Sequence, residues 1–228
     1  MLFRSGQSFR VLADVYRALL ADGYRFAYIG NVDNVGYSVD PVELALLALS
    51  GAEAAFDFSY RTPLDVKGGI LVLDERGRMT VGDLGQAISH EDADSLEKRG
   101  SRVLFNCATG LFDLAALVPK LERIAAALPL RLSDQDKDAG RYSQAEQSTW
   151  EVVGILDRPL GFAVEKSERF LAAKLLAETI LGSGSAPLEA LPESVAEAAQ
   201  GLAGGLAKAL SGHCGLELRG GRWVAPQA

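Results

Sequence analysis

The sequence predicts an α/β fold: a mostly parallel mixed sheet sandwiched by helices, with a β-hairpin insertion and a small C-terminal helical tail. Three observations predict it. Short apolar runs alternate with amphipathic segments along most of the chain, and strands that alternate with helices pair in parallel under two helical layers. Gly69 to Leu73 and Arg78 to Val81 flank Asp74-Glu-Arg-Gly77, which reads as a hairpin with a glycine turn. Residues 192 to 211 form an alanine-rich helix interrupted by Gly201, Gly204 and Gly205. Gly182-Ser-Gly-Ser-Ala-Pro187 ahead of it has a linker's composition. Two units are therefore expected, 1–182 and 183–228.

The elements follow in order. Phe9, Leu12, Val15, Tyr16, Leu19 and Leu20 recur at helical spacing, and Gly23 stands where a helix-ending glycine belongs. Tyr24 to Ile29 is the first strand. Asp40-Pro41-Val42-Glu43 opens a helix, with Asp40 as N-cap, Pro41 at the first helical position and Glu43 at the capping-box position. Gly51 ends it. Phe56, Phe58 and Tyr60 alternate, so 54 to 60 is a strand. Glu91 to Arg99 is a short polar helix, and Val103 to Asn106 a strand. Leu114 to Leu128 reads as one helix with Pro119 near its first turns. Residues 133 to 147 read as a polar loop, and Trp150 to Leu156 and Gly161 to Val164 as strands. A helix is expected from Ser167 to about Ile180, and a small hairpin around Glu217 and Trp223.

Composition removes several classes of partner. The chain has 228 residues, 48% hydrophobic and 23% charged, as in ordinary globular domains. Its net charge is −7 and it has no basic tract, which argues against nucleic acid or an anionic membrane as partner. No apolar run approaches the roughly 20 residues of a membrane span. Cys107 and Cys214 are the only cysteines and have neither metal nor redox spacing, so a reducing cytoplasm is expected. His213-Cys214 lacks the other ligands of a zinc site. Asp134-x-Asp136-x-Asp138 imitates a calcium loop, but Ala139 and Ala145 stand where that loop needs glycine and glutamate. That segment reads as solvated loop.

The most informative stretch is Tyr28-Ile-Gly-Asn-Val-Asp-Asn-Val-Gly36. It delivers one carboxylate, Asp33, and two amides, Asn31 and Asn34, to the carboxyl end of a strand. Ligands of open α/β sheets bind there. One carboxylate among neutral amides suits Mg²⁺ that arrives with phosphate, because that ion needs only one or two protein carboxylates.

Several segments, in this order, resemble the UTP–glucose-1-phosphate uridylyltransferase family, a group with a nucleotide-diphospho-sugar transferase, GT-A-like fold. Asp14-Val-Tyr16 is similar to the family's glycine-aspartate-hydrophobic-tyrosine turn, and Gly30 to Gly36 to its metal loop. Val66-Lys-Gly-Gly-Ile-Leu71 resembles the segment over the sugar, and Asp83-Leu-Gly-Gln86 an acidic-x-x-glutamine element. Leu104-Phe-Asn106 resembles the sugar-contacting phenylalanine-asparagine, and Gln144-Ala-Glu146 a later glutamine-x-glutamate. Val164 to Lys174, with Arg169-Phe-Leu before Lys174, resembles the arm of the phosphate-binding lysine. The family's N-terminal glycine-rich nucleotide loop has no counterpart, so the chain is expected to be N-terminally truncated. Phe9-Arg-Val-Leu-Ala13 and Cys107-Ala-Thr-Gly110 also depart from the family's pattern.

The resemblance implies a cytoplasmic nucleotidyltransferase that joins a hexose 1-phosphate, first of all glucose 1-phosphate, to UTP and releases pyrophosphate with Mg²⁺. Asp33 would hold the metal and Lys174 neutralise the phosphates. Asn31 would contact phosphate. Gly69, Asp83 and Asn106 would meet the sugar. The competing readings are a non-catalytic sugar-phosphate-binding relative, a UDP-N-acetylhexosamine pyrophosphorylase and a metal-dependent glycosyltransferase of similar fold.

Overall fold

The computed structural model describes residues 5–36, 38–62, 65, 68–137, 140–173 and 193–226. The Gly182 to Pro187 linker, Lys67 and Lys174 lie outside the described residues. The first helical stretch divides into α1 (Ser8–Val11) and α2 (Ala13–Ala21), and strand β1 (Phe26–Gly30) follows. Helix α3 (Pro41–Ser50) begins as its cap predicts: Asp40 Oδ1 accepts from the Val42 and Glu43 amides at 2.7 and 3.3 Å. Glu43 itself turns inward to Arg169.

Strand β2 (Ala54–Tyr60) leads to the hairpin of β3 (Gly69–Leu73) and β4 (Met79–Asp83). Gly77 has φ +74°, a conformation that costs a side-chain-bearing residue energy. Helix α4 (His90–Lys98) is capped by Ser89, whose hydroxyl accepts from the Asp92 amide at 3.0 Å. Strand β5 (Leu104–Asp113) is ten residues long and buried at nearly every position. The sequence reading ended it at Asn106. A strand covered on both faces loses the alternation that would have revealed its second half.

Four further expectations change. The single helix 114–128 is divided into α5 (Leu114–Leu117), a 3₁₀ turn at Val118–Lys120 and α6 (Leu121–Ala127). The turn holds Pro119, which has no N–H for a helical ladder. The polar loop is instead a ribbon of β6 (Arg131–Lys137) and β7 (Gly140–Glu146), in which backbone pairing needs no apolar alternation. The apolar run at Trp150 is a 3₁₀ helix, Thr149–Gly154, that buries Trp150, Val152 and Val153. Strand β8 (Pro159–Val164) comes next, and the helix expected from Ser167 to about Ile180 is only the short α7 (Lys166–Arg169), with residues 170–173 non-helical and 174–180 outside the described residues. Helix α8 (Glu193–Gly212) and the hairpin β9 (Glu217–Arg219) and β10 (Arg222–Val224) complete it, as expected.

The α/β class, the mixed sheet and the hairpin insertion stand, but the strand directions differ from expectation. The six-stranded sheet runs β4-β3-β5-β2-β8, with β1 also on β5. Among the described residues β2 and β8 are parallel, and the β1–β5, β2–β5, β3–β4 and β3–β5 pairs are antiparallel. Reversal comes from the long β5, which runs against three neighbours. One face carries the main core, in which Phe9, Phe56 and Phe112 meet edge to face at centroid distances of 5.7 and 5.5 Å. Each such buried ring contributes about 1.5–3 kcal/mol. On the other face α3 packs through Leu47, and Ala93 of α4 joins Ile70 and Phe105.

Candidate active site

The site forms where β1 ends beside an irregularity in β5. The β2–β5 register shifts between Phe56 and Phe58, so that Cys107, Ala108 and Thr109 bulge opposite Asp57. Ala108 has φ +55°, uncommon for a residue with a side chain and typical of functional sites. Two contacts hold it there. Its N–H donates to Asn106 Oδ1 at 2.6 Å, and its carbonyl accepts from the Asn31 N–H at 3.1 Å. One bulged residue therefore ties the predicted sugar asparagine to the predicted metal loop.

The loop after β1 is then strapped to the arm after α7. Asn34 is 2% exposed and uses its whole amide. Its Nδ2 donates to the Cys107 and Arg169 carbonyls at 3.3 and 2.9 Å. Its Oδ1 accepts from the Gly36 and Leu171 amides at 3.1 and 2.9 Å. Such an amide has no capacity left for a ligand. The Val35 N–H donates to the Leu171 carbonyl at 3.0 Å, and the Ala173 N–H to the Asp33 carbonyl at 2.8 Å. The loop after β1 and the described part of the arm after α7 thus form one backbone unit.

Beneath them lies a charged cluster absent from the sequence-based site. Arg169 is 6% exposed. Its Nη2 donates to Glu43 Oε2 at 2.9 Å, Asp57 Oδ2 at 2.8 Å and the Tyr28 hydroxyl at 3.3 Å. Its Nη1 donates to the Ser38 carbonyl at 2.8 Å. Thr109 Oγ1 donates to Asp57 at 2.9 Å. Burial, with Asp57 next, pushes the Glu43 carboxyl up to about 7. Burial likewise raises the Tyr28 hydroxyl, and the Cys107 thiol to about 12, which makes that thiol inert. A sequence signal for part of this existed: Asp57, between Phe56 and Phe58, is the one charge in β2.

Gly69, Asp83 and Asn106 also come together. Gly69 and Asp83 are register partners in the hairpin. A Cβ on Gly69 would stand 2.3 Å from Val81 Cγ1 and 3.8 Å from Asn106 Cβ, so glycine lets the strands close around the asparagine. The Asp83 carbonyl accepts from the Ala87 amide at 2.8 Å and ends β4 in a turn. Asn106 is 6% exposed, and its Nδ2 has no hydrogen-bond partner among the described residues. A buried donor left unpaired costs about 1–3 kcal/mol, which a ligand oxygen would recover. The side chains of Gln144 and Glu146 lie outside what is described.

No group of three or more His, Cys, Asp or Glu side chains suited to a metal occurs among the described residues. Mg²⁺ held largely by substrate phosphates needs no such group. Asp33 is half-buried and flanked by neutral amides, and its carboxylate is a hard oxygen donor of the type that could hold such an ion.

A mixed α/β sheet with a polar loop at the end of β1, bonded to the arm after α7 and linked through Ala108 to Asn106, has the build of an α/β domain with its ligand site at a strand end. The sequence profile of the UTP–glucose-1-phosphate uridylyltransferase family matches residues 5–185, and the chain belongs to that family. It is 27% identical over 164 residues to the UTP–glucose-1-phosphate uridylyltransferase of Solanum tuberosum, and 25% over 163 residues to that of Hordeum vulgare. Both alignments cover 72% of this chain and 34% of the relative, so the chain spans about a third of the length of the curated relatives it matches. A Trypanosoma brucei protein described as UDP-glucose phosphorylase superposes with TM-score 0.63 at 26% identity, covering 78% of this chain and 39% of that one. A Leishmania major UDP-glucose pyrophosphorylase variant in complex with UDP-glucose shares the fold, with TM-score 0.62 at 19% identity and 78% and 41% coverage.

Proposed function

We propose that this chain carries the sugar-phosphate side of a uridylyltransferase forming a UDP-hexose and pyrophosphate from UTP and a hexose 1-phosphate, glucose 1-phosphate first. The observation that carries the reading is the continuity of the site. Ala108 joins Asn106 to the Asp33 loop, and that loop is bonded to the arm leading to Lys174. Family membership and the names of the relatives support the same chemistry.

In this reading Asn106 Nδ2 donates to a sugar hydroxyl, Asp83 accepts from another, and Gly69 keeps the corner narrow. Asn31 orients the phosphates. A phosphate oxygen of the sugar forms the bond to the α-phosphorus of UTP, and the bond to the bridging oxygen breaks, with pyrophosphate leaving with the electron pair. Two anions must meet in line, so positioning and charge neutralisation dominate. Asp33 would hold Mg²⁺, which supplies charge neutralisation at the phosphates when bound. Lys174 takes the same task, as a point charge on a flexible stem. Residues 1–182 act as the transferase unit and 183–228 as an appendage. Both thiols are free, which fits a reducing cytoplasm. No helix among the described residues is long and apolar enough to cross a membrane.

Pyrophosphate release from UTP and glucose 1-phosphate with Mg²⁺ tests this directly, and Asp33→Ala should abolish it. Release that survives the substitution would remove Asp33 from the reaction. One observation favours a second reading, sugar-phosphate binding without transfer. The segment from Phe9, where the sequence departs from the family's pattern, is helical and buries Phe9 in the core. Calorimetric binding of glucose 1-phosphate without pyrophosphate release would select it.

A further inference from the structure

The family match ends at residue 185, and helix α8 begins beyond it at Glu193. This helix nevertheless bears on the site. Gly205 is buried against the arm: a Cβ there would stand 2.2 Å from the Ser167 carbonyl oxygen and 2.5 Å from Leu171 Cδ2. The first of those neighbours is backbone and cannot step aside. Leu171, 5% exposed, lies beneath the helix, and its own N–H and carbonyl bond Asn34 and Val35 of the metal loop. One turn further, Lys208 Nζ meets Glu168 Oε1 at 2.9 Å. Glycine is costly in a helix interior, by about 1 kcal/mol against alanine. At Gly205 that cost has a visible return in close approach. At Gly201 and Gly204 a Cβ would meet no described neighbour.

We propose that α8 is a brace for the active-site arm, with Gly205 as its positioning residue: it presses residues 167–171 onto the Asp33 loop and sets how far the lysine arm stands from the metal loop. Neither Gly205 nor the Lys208 side chain touches substrate in this scheme. They act through Ser167, Glu168 and Leu171. The significance for transfer rests on the uridylyltransferase reading, whereas the brace itself is a property of the folded chain.

Amide-resolved hydrogen exchange on the full chain tests it without any turnover. Gly201→Ala, Gly204→Ala and Gly205→Ala make the same gain in helix propensity, so a purely local helix effect slows exchange alike in all three. The brace predicts a different pattern. Gly205→Ala should speed exchange at Val35, Leu171 and Ala173 by about tenfold, while the other two leave those amides unchanged. Lys208→Glu, on the surface and harmless to folding, should speed the same amides by about two- to fivefold by setting like charges against Glu168. Equal exchange at these three amides in Gly204→Ala and Gly205→Ala, with no effect of Lys208→Glu, would overturn the proposal. Loss of pyrophosphate release in the parent chain would count against the transferase reading alone.

Discussion

At the scale of single residues, Asn34 and Asn106 divide the work of the site. Asn34 spends four hydrogen bonds on the protein. Asn34→Ala should cost about 3 kcal/mol or more in urea unfolding, because it orphans two carbonyls and two amides in a buried place. Asn106 spends one, through its oxygen, and keeps a buried donor in reserve. Asn106→Asp preserves the bond to the Ala108 N–H and removes that donor. We expect the buried carboxylate to lower stability and binding of glucose 1-phosphate to weaken about tenfold. Unchanged affinity would take the side chain out of the sugar contact. Glu43 makes a third prediction. Its carboxyl is raised to about 7, so between the ordinary carboxylate range and that value the native state holds a proton that the unfolded chain has released. Stability therefore falls as pH rises through this window. Glu43→Gln should gain on the parent by at least about 1 kcal/mol between pH 5 and pH 8. A difference that stays constant with pH would contradict the assignment.

At the scale of elements, legibility followed exposure. The β3–β4 hairpin, the Asp40 cap and the 54–60 strand have local signatures, and each appears where the sequence put it. The second half of β5 has none. Cys107-Ala-Thr-Gly110 has no alternation and contains the bulge, and its strand identity comes from β1 and β2 on either side. The same holds for the site. The Asn31–Asp33 loop was readable as a polar run after an apolar one. The Arg169 cluster was not, because its carboxylates lie 126 and 112 residues away in the chain. Element boundaries also carry stability. Asp113 closes β5 and caps α5, accepting from the Ala115 amide at 2.9 Å while meeting Arg25 Nε at 3.2 Å. Asp113→Ala should lower stability by about 1–2 kcal/mol, and Asp113→Asn by much less. Equal losses in thermal unfolding would show that the Arg25 pair, rather than the cap, matters.

At the scale of the whole molecule, the surface mixes acidity with exposed apolar groups. Val32 and Leu49 are 101% and 85% exposed. Strand β1 pairs with β5 along one edge among the described residues, and a groove of about 460 Å³ runs past it between Leu12, Tyr16, Leu19 and Tyr24. Repulsion from the net charge of −7 opposes association through such features. Light scattering should therefore peak near pH 5.0, the isoelectric point, and a flat profile from pH 4 to 8 would show that charge is not the safeguard.

The central place of β5 also sets a schedule for synthesis. Gly30 pairs with Thr109, and Ala54 with Pro159. At roughly 5–20 residues per second, a nascent β1 waits about 4–16 seconds for its partner to be translated. The arm that seals the Asp33 loop is translated later still, after residue 165. The emerging chain spends that interval as unpaired strands and loose helices. A holding chaperone at the ribosome has its longest opportunity there, and slowing translation ahead of residue 104 would lengthen the exposure of β1 without changing a single native contact.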